Sequence, residues 1–144
     1  MKKLAYVIAT VALTVLLIEP VSADKNFTVR DVRGRYVFSF QGEVPGVAVF
    51  AATGVIVADG KGNITEGVRM ITVNGVPSTG TFTCSITVHP NGTGSAVCPA
   101  DNPTRTPGFP AVETYGFVLS ENGRSFRFVG TVEGLVILGS GERQ

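Results

Sequence analysis

From Gly34 onward, turn-forming residues interrupt this chain about every ten residues, and little besides a β-sheet can be built on that spacing. Short runs rich in Val, Ile, Thr, Phe and Tyr lie between the interruptions, and none carries a 3.6-residue apolar period. Strands of such length, bounded by Gly, Asn, Asp and Pro, mark an all-β domain. The runs predict eight strands, over 34–42, 47–58, 63–74, 79–89, 93–99, 111–120, 124–132 and 134–142. Gly75-Val76-Pro77-Ser78 is read as one of the turns, and only the connection 100–110 is long. Short links make successive strands antiparallel neighbours in a meander. Left open, eight such strands would expose two edges and a greasy face; closure into a barrel removes both. The expectation is an all-β, eight-stranded antiparallel meander closed into a barrel over 34–144, with an N-terminal extension over 24–33.

Local registers follow from turn chemistry, because a slip of one residue carries every side chain to the other face. A two-residue Asn122-Gly123 turn pairs Leu119 with Phe126 and Phe117 with Phe128. A Glu133-Gly134 turn then sets Phe128 opposite Gly139 and Phe126 opposite Gly141, so large rings face positions without a Cβ. Pro90-Asn91-Gly92 suits a three-residue loop closed by a left-handed Gly. That loop pairs His89 with Thr93 and, counting outward, Cys84 with Cys98. A cross-strand disulfide is expected there. The same count puts Phe82, Cys84, Ile86 and Val88 on a core face and Thr81, Thr83, Ser85 and Thr87 on a wet one.

The first 23 residues read differently. Lys2 and Lys3 precede fifteen uncharged residues, Leu4 to Ile18, and Val21-Ser22-Ala23 fits a signal-peptidase site. The run is short of the ~20 apolar residues that span a bilayer. An export signal of bacterial type over 1–23 is expected, leaving the protein periplasmic or secreted, where disulfides persist. Twelve Lys and Arg stand against eleven Asp and Glu, so no basic excess points to nucleic acid or an anionic membrane. Stable membrane insertion after signal cleavage is not expected either. Paired aromatic girdles are missing, and the Thr face at 81–87 would have to meet lipid.

Gly34-Arg35-Tyr36-Val37-Phe38 resembles the Gly-x-Trp opening of the calycins, the lipocalin and avidin group, with Tyr36 in place of Trp. The meander and its length are similar to avidin-sized members; the helix that follows a lipocalin barrel has no counterpart. The opening, together with Ala58-Asp59-Gly60-Lys61-Gly62-Asn63-Ile64-Thr65 and Gly92-Thr93-Gly94, also looks like a group of uncharacterised exported bacterial proteins. Allene oxide cyclase is a more distant small-barrel analogue. These resemblances imply a calycin-like carrier of a small hydrophobic ligand or, at greater distance, a cyclase or isomerase. Fold likeness alone assigns neither.

Chemistry-bearing residues are few. His89 is the lone imidazole and precedes Pro90 at a turn, without a partner acid or nucleophile. Asp59-Gly60-Lys61-Gly62-Asn63 lacks the spaced carboxylates and closing Glu of a calcium loop, and reads as a hairpin turn. No catalytic residue, metal site or cofactor is assigned. Glu113 shares a face with Tyr115 and Phe117, while Arg127 falls outside. An internal apolar site, if hollow, is expected among Tyr36, Phe82, Tyr115 and Phe117 with Glu113 at its rim. Leu135-Val136-Ile137-Leu138 is apolar on both faces, so Val136 and Leu138 are expected to point outward. The leading expectation is therefore a self-associating structural or interaction module with at most a shallow apolar pocket. A rival reading lays the extension across that patch, with Phe27 and Val29 covering it.

Overall fold

The computed structural model describes residues 25–99 and 110–144. The expected export signal and nearly all of the 100–110 connection lie outside those residues. Eight antiparallel strands follow in order: β1 (Arg33–Val44), β2 (Ala48–Asp59), β3 (Asn63–Val73), β4 (Val76–Val88), β5 (Thr93–Pro99), β6 (Val112–Leu119), β7 (Ser125–Gly130) and β8 (Val136–Arg143). Each pairs with its successor, and β8 returns to β1 to close the barrel. A single 3-10 turn, Val29–Asp31, precedes β1.

Turn chemistry sets the registers. Gly92 adopts φ 84°, and the His89 amide donates to Thr93 O at 2.8 Å. Cys84 and Cys98 then face each other and are bonded, with Cα atoms 4.2 Å apart. That separation matches the closer, non-hydrogen-bonded kind of antiparallel pair. Leu119 pairs with Phe126 and Phe117 with Phe128, as expected. The loop between them runs over 121–124 rather than two residues, closed by the Ser120 amide on Ser125 O. An even change in loop length leaves the register intact. The hairpin after β3 differs from the sequence reading. It turns on Asn74-Gly75, with φ of 48° and 84°, so Val76, Pro77 and Ser78 belong to β4. Two positive φ values define a type I′ turn, which Asn-Gly adopts most readily.

Six rings fill much of the interior, each laid across a glycine of the neighbouring strand. Phe38 lies over Gly54, Phe50 over Gly42, Phe82 over Gly67, Phe117 over Gly94, Phe128 over Gly139 and Phe126 over Gly141. A methyl group at Gly67 would lie 2.6 Å from the Phe82 ring. Only a residue without Cβ admits that approach.

One barrel end is sealed. Val32 and Tyr36 are buried there, and Tyr36 Oη donates to Gly123 O at 3.1 Å. The Phe27 amide donates to Pro90 O at 3.0 Å while its ring sits against Gly92. Residues 25–32 thus stopper the end of the barrel. The reading in which Phe27 and Val29 cover the outer patch is not what is found.

Candidate binding site inside the barrel

The site begins with an irregularity in β3. Pairing with β2 shifts between Val57 and Ala58, and pairing with β4 shifts between Ile64 and Gly67. Thr65 and Glu66 both face solvent, so the inward face resumes at Gly67 and passes through Arg69 to Ile71. A regular strand counted from Ile64 would have turned Arg69 outward. The bulge instead aims a guanidinium into the barrel, the re-aiming that β-bulges accomplish.

Glu113 on β6 meets it. Arg69 Nη1 donates to Glu113 Oε2 and Nη2 to Oε1, both at 2.7 Å. Tyr115 Oη donates to the same Oε2. Glu113 is 6% exposed, so it is buried within the wall and not a wetted group at the rim. Burial opposes the charge on Arg69, but the hydrogen bonds and charge of Glu113 outweigh it and raise the pKa of the guanidinium. Burial likewise pushes the Tyr115 phenol far above its ordinary value, and the adjacent Glu113 carboxylate adds to the shift. Tyr115 is therefore a neutral hydrogen-bond donor at any working pH. The Arg69 guanidinium also lies over the Phe82 ring, 5.7 Å from its centroid.

Beside this cluster is a cavity of about 90 Å³. Phe82, Glu113, Tyr115 and Phe117 line it, together with Arg69 and the Cys84–Cys98 bridge. Tyr36, expected among them, does not; it belongs to the sealed end, where its hydroxyl ties β1 to the loop after β6. Arg69 is the residue that sequence reasoning missed. Its one signal is a charge inside the apolar run Val68-Arg69-Met70-Ile71.

The remaining expected positions sort by face. Val136 and Leu138 point outward, 54% and 58% exposed. His89 and Arg127 are exposed. Asp59 accepts from the amides of Lys61 and Asn63, which makes its loop a turn built on its own backbone. Among the described residues, no group of three or more His, Cys, Asp or Glu could hold a metal ion.

Fold and site together define a disulfide-bridged, closed eight-stranded β-barrel with a small apolar interior and one buried Arg–Glu–Tyr cluster. Compared with protein families and with curated proteins, the chain matches none.

Proposed function

We propose that the protein is an exported, calycin-like binding module whose interior takes one small, uncharged, mostly apolar molecule. The observation that carries this reading is the cavity of about 90 Å³, apolar except where Arg69, Glu113 and Tyr115 reach it. An eight-stranded barrel is wide enough to be filled by its side chains or to hold one small ligand. Here the rings leave a void smaller than the ~150 Å³ apolar cavity known to accept benzene, so the guest is a short chain smaller than benzene. Charge selects further. Arg69 and Glu113 neutralise each other, and a third buried ion would lack a counter-charge, whereas a hydroxyl or carbonyl carries no such penalty. The Cys84–Cys98 bridge and the signal-like sequence at 1–23 both support an extracytoplasmic setting.

The test is a titration of the disulfide-intact protein with 2-propanol, acetone and acetate, followed by NMR at the Ala96 and Ile86 methyl groups that line the cavity. Saturable one-to-one shifts with 2-propanol or acetone, and none with acetate, are expected. Unsaturable shifts with every probe up to millimolar concentration would reject the binding reading.

A further inference from the structure

Outside the barrel, Leu138 on β8 stands between Val129 on β7 and Gln41 on β1, with exposed Val136 two residues along its own strand. Two opposite charges flank it at equal and opposite offsets. Arg127 is one strand away on β7, level with Ser140; Glu43 is one strand away on β1, level with Val136. Strand spacing and rise put each about 8 Å from Leu138, on one line through it. Both face solvent, and neither has an ion-pair partner among the described residues.

We propose that this face binds a second copy of the chain, about a twofold axis that lies in the contact plane, passes over Leu138 and runs perpendicular to the Arg127–Glu43 line. That one rotation lays like on like. Leu138 meets its own copy, Val136 meets Val129 of the second copy, and Gln41 comes beside Ser140 of the second copy. Arg127 meets Glu43 of the second copy, and the same pair forms again on the other side of the axis. An isologous interface requires such self-complementarity, and few arbitrary patches possess it. Barrel walls are convex, so contact also needs a recess. A shallow groove of about 550 Å³ provides one between Leu138 and Val136 on one side and Val49 and Ala51 on the other. Residues 25–32 lie at the sealed end and do not compete for it. The pairing is independent of any guest in the interior.

Sedimentation equilibrium on the disulfide-intact protein tests this. Wild type should dimerise at micromolar concentration. Arg127→Glu and Glu43→Arg should each weaken the dimer by at least about tenfold, because each places like charges together twice. The double reversal on one chain should restore it to within about threefold, because it recreates both pairs with exchanged signs. A Leu138→Cys variant should cross-link to itself under mild oxidation. A monomer at 100 µM wild type (~100 µM is well above a working dimer's Kd) would overturn the proposal. So would single reversals without effect, or a double reversal that fails to restore association while its β-sheet circular dichroism matches wild type.

Discussion

Glu113 places two carboxylate oxygens in an apolar wall, and both are met by donors from Arg69, with a third from Tyr115. The arrangement is stabilising only while complete. Removing one partner of a buried pair leaves an uncompensated charge, which costs roughly 3–5 kcal/mol. Arg69→Met should therefore destabilise the protein by about 3 kcal/mol or more in urea unfolding. Adding Glu113→Leu to that variant should return much of the loss, since a well-packed apolar replacement is often neutral. Tyr115→Phe should cost less than Arg69→Met, about 1.5–3 kcal/mol, the net worth of one hydrogen bond to a charged group. Half of this cluster was legible in the sequence. Glu113 could be placed on the inner face by alternation with Tyr115 and Phe117. Its partner could not, because alternation in β3 is broken at Thr65-Glu66 and the two residues meet across the barrel, on strands that are not neighbours.

Strand pairings were the most readable part of the chain, since each register is decided within a few residues of its turn. Pro90-Asn91-Gly92 is enough to bring Cys84 opposite Cys98. Peptide mapping without reductant should recover that linked pair from native protein. The double variant Cys84→Ser/Cys98→Ser should lower stability by about 3 kcal/mol, on the chain-entropy account of a short closed loop. Where the reading slipped, at 74–78, two turn signals competed. Pro77 drew the turn toward itself, although Asn74-Gly75 holds the positive φ values. Pro77 is tolerated in β4 because at that end the strand pairs with β3 on one side only: its pairing with β5 begins at Ser85.

The stopper at the sealed end responds to acid. The Thr28 amide holds the Asp31 carboxyl below its ordinary value of 3.8, with Lys25 lending charge at 3.0 Å. A depressed carboxyl stabilises the fold above its unfolded pKa and loses that contribution as pH falls through the lower folded value. Protection of the Phe27 amide, which donates to Pro90 O, should accordingly fall below about pH 4 while the barrel amides stay protected. Hydrogen exchange would check this, and Asp31→Asn should abolish the dependence. The rings laid across glycines have a different reach. Gly67→Ala would drive a methyl group into the Phe82 ring, the nearest atoms it would meet, at about 1–3 kcal/mol of overpacking, and that ring borders the void. Loss of guest binding with the sheet intact is the expected result. The capacity of the chamber is thus gauged from its staves: a single methyl on a neighbouring strand, at a residue that never faces the guest, would resize the room while every residue of the lining kept its identity.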